Sequence, residues 1–235
     1  MDAGSKPEDE EGMSVTDASL NALSDEARTL WTAALALARD ARDVSPRGPS
    51  VLLPPLLFFT DPVRTPEPWT TAERLTAGAA VVWRHFGSPD AVTVGRRLRK
   101  VTAERGVRLL IGLDADLAAA VGADGVHLPE RARGLAPDLR TRCPDWLITA
   151  AAHAGSGVTA TAGLDALVLS PVFETRSPSP PRPALGSQGL ADAVRRSTLP
   201  IYALGGVDAS NVRQLAETGA CGIAGVEAFR RAFGG

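Results

Sequence analysis

Three histidines, His85, His127 and His153, fall at or beside the ends of short apolar runs, in VVWRHF, GVHLPE and ITAAAH. Imidazole titrates near neutral pH, so a histidine at the open end of a strand is a candidate general acid or base. His153 suits that role best, because the small residues Ala150, Ala151 and Ala152 before it leave the strand end uncrowded. His127 alternates with Val126 and Leu128, the spacing of a residue packed inside a barrel. No carboxylate or cysteine with metal-ligand spacing accompanies the three, so no metal centre is expected through them. Lysine is nearly absent: only Lys6 and Lys100 occur, and Lys100 falls on a helix surface, which argues against Schiff-base chemistry.

The second stretch with chemical potential is Leu199 to Phe229, LPIYALGGVDASNVRQLAETGACGIAGVEAF. Pro200 to Leu204 reads as a buried strand, Gly205-Gly206 frees the backbone to turn, Asp208 can cap a helix over Ala209 to Thr218, and Cys221 to Gly225 starts another strand. Strand ends opened by glycine can present backbone N–H groups to a phosphate with no side chain in the way. The pair therefore predicts a phosphate clamp, with a plain tight turn as the alternative.

Such residues need a scaffold that brings strand ends together. Eight apolar runs occur, at Leu53–Thr60, Ala79–Arg84, Arg108–Leu113, Gly125–Leu128, Trp146–Ala150, Ala166–Phe173, Pro200–Leu204 and Cys221–Val226. Helical periodicity or caps separate most of them, with weak helices at Ala132–Thr141 and Gly155–Ala162 and a short last one at Ala228–Phe233. This alternation predicts an α/β fold, a compact TIM (β/α)8 barrel over residues 51–235, with a doubly wound open sheet as the alternative. Ahead of it, residues 14–50 form an N-terminal helical extension and linker, in which Leu23, Leu30, Trp31 and Leu35 are expected on one buried face and Ser24 as N-cap. Residues 1–13 hold five acids and no aromatic residue and predict a disordered tail. Phe173 to Gly186, FETRSPSPPRPALG, is a lid candidate carrying Arg176 and Arg182.

The 235 residues carry a net charge of −2, but the acidic tail, five acids against Lys6, carries −4 and the remainder +2. No clustered basic surface emerges, so neither nucleic acid nor membrane is expected as a partner. The basic run Arg96 to Lys100 reads as a solvated helix face. No apolar stretch approaches a membrane helix, no secretory pattern opens the chain, and Cys143 and Cys221 stand far apart, which makes a reducing cytoplasm the default. A homo-oligomer is compatible with all of this.

GADGVHLPE, DALVLSPVFET with a downstream Leu-Gly, and the Leu199 to Phe229 stretch together resemble the thiamine-phosphate synthase/TenI family over about Pro55 to Phe229. The resemblance implies a barrel that binds a thiazole phosphate at Gly205, Gly206, Gly225 and Val226. Arg84, His85, His127 and Thr175, at or beside strand ends, complete the candidate substrate-binding set. The synthase branch of the family joins a pyrimidine diphosphate to the thiazole with magnesium. Its Asn-Asp after strand three is replaced here by Gly112-Leu113, and its Gly-Gln-x-Asp after strand four by Pro129-Glu130-Arg131-Ala132. The TenI branch is more similar: its Leu-Pro, its strand-five histidine and its Val-Phe-Glu-Thr match Leu128-Pro129, His153 and Val172 to Thr175. The resemblance thus implies a metal-independent thiazole tautomerase, an isomerase with His153 as proton shuttle and no cofactor. The alternatives are a divergent synthase, a transferase needing magnesium, and a non-catalytic phosphate-binding barrel. Glu227 stands where the family has a small serine, so it either points away from the clamp or opposes a phosphate there.

Overall fold

The computed structural model describes residues 20, 22–44, 52–153, 162–175 and 182–234. The expected acidic tail, the linker at 45–50, all but the last residue of the weak helix at 155–162, and residues 176–181 of the lid candidate, Arg176 included, lie outside them.

Strands β1 (Leu56–Phe59), β2 (Ala80–Trp83), β3 (Arg108–Gly112), β4 (Gly125–Leu128), β5 (Leu147–His153), β6 (Ala166–Ser170), β7 (Ile201–Leu204) and β8 (Gly222–Gly225) close into a barrel in chain order, every neighbouring pair parallel. Closure settles the choice of fold in favour of the TIM-like barrel. The pleat sorts side chains by parity. Leu57 and Phe59 join Ala80, Val82, Leu110, Ala166, Val168, Tyr202 and Ala224 inside the barrel, while Leu56 and Phe58 face the helices. Tyr202 fills the interior and donates its hydroxyl to the Pro54 carbonyl at 2.6 Å, a partner that a buried phenol requires.

Outside lie α1 (Asp25–Val44), α2 (Pro68–Ala72), α3 (Ala91–Glu104), α4 (Ala115–Val121), α5 (Ala136–Arg142), α6 (Gly186–Arg196) and α7 (Glu227–Gly234), together with 3-10 turns at Glu130–Leu135 and Val212–Leu215. Ser24 caps α1 as expected, accepting the Ala27 N–H at 3.1 Å, and it also donates to the Ala232 carbonyl of α7 at 2.8 Å. The buried face of α1 is Ala27, Leu30, Trp31, Ala34, Leu37 and Ala38. Leu35, expected on that face, is 37% exposed, because it lies one residue, about 100° of helix, beyond Ala34. This stripe packs on β8, α7 and the turn at Val212–Leu215.

The helix expected at Ala209–Thr218 is reduced to that four-residue turn. Local polar bonds compete with it. Asp208 accepts from the Ser210 N–H and hydroxyl, Asn211 accepts from the Asp208 N–H and donates to the Gly206 carbonyl, and Glu217 has a left-handed φ of 64°. The N-terminal α1 packs against this turn. Strand β5 departs from expectation in the other direction, running on past Ala150 so that His153 is its last residue.

Candidate functional site

A cavity of about 1100 Å³ opens where the strands end, lined in turn by Phe59, Arg84, Gly112, Pro129, Ala151 and His153, Ser170, Leu204 and Val226. Four arginines border it, Arg64, Arg84, Arg131 and Arg182, against two carboxylates, Asp114 and Glu174. That balance favours an anionic ligand.

Of the residues singled out from the sequence, His153, Gly205, Val226, Thr175, Arg84, His85 and His127 line the cavity, whereas Gly206 and Gly225 do not. The glycines answer first to contacts within the chain. Gly205 and Gly206 have φ of 95° and 67°, and a Cβ would meet the Pro171 Cα at 2.8 Å and the Glu174 carbonyl at 2.3 Å, respectively. A Cβ on Gly225 would lie 2.4 Å from the Phe229 ring of α7. Their small size lets β7 and β8 meet neighbouring backbone and α7 closely. Glu227 is absent from the lining as well; it borders a separate pocket with Thr65, Glu67, Thr70, Arg230 and Arg231.

The three histidines are held in three ways. The His127 Nδ1 lies 2.9 Å from the Thr149 hydroxyl, and its ring packs edge-on to Phe59 with centroids 4.8 Å apart. Burial, and then the charge of Arg84, push its imidazolium down to about 3, so it is neutral at pH 7. The His85 Nδ1 accepts the Gly87 N–H at 3.1 Å, which puts its proton on Nε2, facing the Asp114 carboxylate at 3.4 Å. The His153 Nδ1 meets the Glu130 carboxylate at 2.6 Å. An ionised carboxylate only accepts, so this bond places a proton of His153 on Nδ1.

In the sequence Glu130 stands out only as part of Pro129-Glu130-Arg131-Ala132, where the synthase branch has Gly-Gln-x-Asp. The signal that would have found it is adjacency: it follows β4, and His153 ends β5, so the two must meet across neighbouring strand ends.

On the opposite wall, Arg84 donates to the Thr60 carbonyl at 2.7 Å, and its guanidinium sits 5.7 and 5.4 Å from the ring centroids of Phe59 and Phe86. Asp61 accepts from the Arg64 side chain and backbone and from the Val63 N–H. Burial raises this carboxyl, but those bonds and the Arg64 charge outweigh it and hold it at about 2. Phe86 and Leu113 stand at the mouth with left-handed φ of 48° and 66°, a conformation that non-glycine residues adopt mainly where surrounding structure or function enforces it.

The magnesium implied for the synthase branch does not fit these residues. At the end of β3, Leu113 offers no oxygen side chain, and Asp114 accepts the Leu117 N–H at 2.8 Å as cap of α4. At the end of β4, Pro129 offers none, and Glu130 is engaged by His153. Among the described residues no group of three or more His, Cys, Asp and Glu side chains is arranged to hold a metal ion, and no helix is long and apolar enough to cross a membrane.

A family model described as thiamine monophosphate synthase, TMP-TENI, matches residues 61–229. The thiamine-phosphate synthase of Pyrococcus horikoshii is 30% identical over 182 residues, covering 74% of this chain and 85% of that protein. The protein named putative thiamine-phosphate synthase 2 of Aquifex aeolicus is 33% identical over 139 residues, 58% of this chain and 73% of its own length. Among solved structures, thiamine phosphate pyrophosphorylase from Pyrococcus furiosus superposes with a TM-score of 0.60 at 26% identity, covering 76% of this chain and 91% of that one. These relatives carry the name of the synthase, a transferase, and not that of the tautomerase. On its matched residues, its closed barrel and the site at the strand ends, the chain belongs to the thiamine-phosphate synthase/TenI family.

Proposed function

We propose that this barrel is a metal-independent isomerase that moves a proton on a phosphorylated thiazole. The observation that carries the reading is the Glu130–His153 pair, a carboxylate-oriented imidazole on the wall of a cavity rich in arginine. With its proton held on Nδ1, His153 keeps Nε2 as the base; it takes a proton from one ring position and, as imidazolium, returns it at another. Glu130 steadies the imidazolium formed between the two transfers, in the manner of the carboxylate of a catalytic triad. Gly205 and Val226 directly follow β7 and β8, and the scheme puts the phosphate there, in the cavity that Thr175 and Arg182 also line. Arg84 serves a second anionic group from the opposite wall. No step requires a cation.

The test offers the purified protein a thiazole carboxylate phosphate tautomer in the presence of EDTA and follows aromatisation. Turnover insensitive to EDTA supports the isomerase; no turnover, with thiamine phosphate formed from a pyrimidine diphosphate and a thiazole phosphate only when magnesium is added, overturns it. The second outcome defines the divergent synthase, which the names of the relatives favour. Binding of the phosphate with neither activity defines a ligand-binding barrel.

A further inference from the structure

Strands β4 and β5 do not end together. Their ladder stops at the pair Leu128 and Ala150, whereas β5 continues beside β6 as far as the pair His153 and Ser170. The last three residues of β5 therefore overhang β4, and the carbonyl of Ala151 has lost its ladder neighbour on that side. A backbone acceptor in such a place needs a donor. Arg133 supplies it: its guanidinium donates to the Ala151 carbonyl from Nε at 3.0 Å and from Nη2 at 2.6 Å.

Arg133 lies in the 3-10 turn Glu130–Leu135, three residues after Glu130. A 3-10 helix has three residues per turn, so both side chains leave the same face. One grips the backbone of β5 at Ala151, and the other grips the imidazole two residues on, at His153. Ala151 and His153 also share a face of β5, and both line the cavity. Arg133 itself is 9% exposed, a low value for an arginine.

We infer that Arg133 is a positioning residue: with Glu130 it forms a two-point clasp that extends β5 beyond its neighbour and fixes the place and tautomer of His153. The inference rests on the proton-transfer reading for its effect on turnover, but the clasp itself is a statement about β5 and the His153 ring. Arg133 touches no reacting atom in this scheme. A planar guanidinium holds one carbonyl with two donors, whereas lysine presents a point charge on a flexible stem, so Arg133→Lys separates geometry from charge.

The experiment compares wild type, Arg133→Lys and Arg133→Ala in the full chain, with folding checked by thermal melting. Ring nitrogen chemical shifts of 15N-labelled histidine give the first readout. Wild type should show His153 protonated on Nδ1 with a single ring environment, and Arg133→Lys should show mixed tautomers or exchange broadening. Turnover of the thiazole carboxylate phosphate gives the second. Misplacing a reacting group by about 1 Å costs on the order of 10²-fold, so kcat should fall by about that factor in Arg133→Lys with KM nearly unchanged. A His153 ring that keeps one Nδ1–H tautomer and wild-type kcat in folded Arg133→Lys overturns the inference. Should Arg133→Ala not fold, the lysine variant alone decides. If the ring spectra change as expected while the wild type shows no isomerisation, the clasp stands and the proposed activity fails.

Discussion

His127 and His153 line the same cavity from neighbouring strands, yet their surroundings treat them in opposite ways. His127 is pressed between Phe59 and Thr149, 7% exposed, with no carboxylate of the described residues bonded to it and the cation of Arg84 near enough to push its imidazolium down further. His153 stands at a strand end with a carboxylate on Nδ1. The same side chain is a neutral, hydroxyl-bonded packing unit in one place and, in the proposed scheme, an oriented base in the other. What separates them is the partner on Nδ1 and the access of water, which strand position alone does not reveal.

Truncating each imidazole separates the two most directly. His153→Ala is expected to lower kcat on the order of 10²–10⁴-fold with little change in ligand affinity or melting temperature. His127→Ala should instead lower stability by about 2–4 kcal/mol in denaturant titration, through a cavity and an unpaired Thr149 hydroxyl. An unchanged kcat in His153→Ala, or a folded and stable His127→Ala with lost turnover, would reverse the two roles.

Next in size is Glu130→Gln. The amide still bonds the ring but no longer favours the imidazolium, so kcat should fall on the order of 10²-fold. Turnover equal to that of wild type would mean that the carboxylate distinguishing the two histidines has no chemical consequence.

Acid sharpens the contrast further. The folded value of His127 lies near 3 against an ordinary 6.5, so below about pH 6.5 the unfolded chain binds a proton that the folded chain refuses. Stability from this group is complete above pH 6.5 and is lost as pH falls toward 3, by up to about 1.4 kcal/mol per pH unit. Asp61, held at about 2 against 3.8, adds a loss in the same direction at still lower pH. Denaturant midpoints measured from pH 7 to pH 4 should show the slope in wild type, and His127→Asn should flatten it. An equal slope in both would assign the acid sensitivity to another group.

The smallest effect is expected from Glu227→Ser. The carboxylate borders the separate pocket beside α2 and α7, away from the arginine-rich cavity. Calorimetric affinity for a thiazole phosphate should not change, and a tenfold gain would place Glu227 against the ligand after all.

The barrel was legible in the sequence because each strand is an apolar run and the intervening helices carry caps or periodicity. What escaped was set by contacts between elements. Nothing in Ala150-Ala151-Ala152 signals that β5 continues, since its extension is made by β6 on one side and Arg133 on the other. The helix expected after β7 read well in its apolar spacing but lost to the turn bonds of Asp208 and Asn211. In the site, all three histidines were visible from their strand-end positions. The partner of His153 was not, because Glu130 lies 23 residues away and meets it only once β4 and β5 pair. Gly205, Gly206 and Gly225 were visible as glycines, but their demanding neighbours Pro171, Glu174 and Phe229 are a product of folding.

The seating of α1 against α7 sets a condition on how this chain reaches its native state. Ser24 bonds Ala232 across 208 residues of sequence, and Glu26 pairs with Arg231 across 205. At a synthesis rate of roughly 5–20 residues per second, the apolar face of α1 waits on the order of 10–40 s for its partner after it has been made. Over that interval Leu30 and Trp31 have no native cover, and the outer layer of the barrel cannot be completed. A ribosome-bound intermediate that ends before β8 should therefore expose a helix that is sticky and protease-sensitive. It should also be a better chaperone client than the finished protein, in which a helix made early is among the last to be packed.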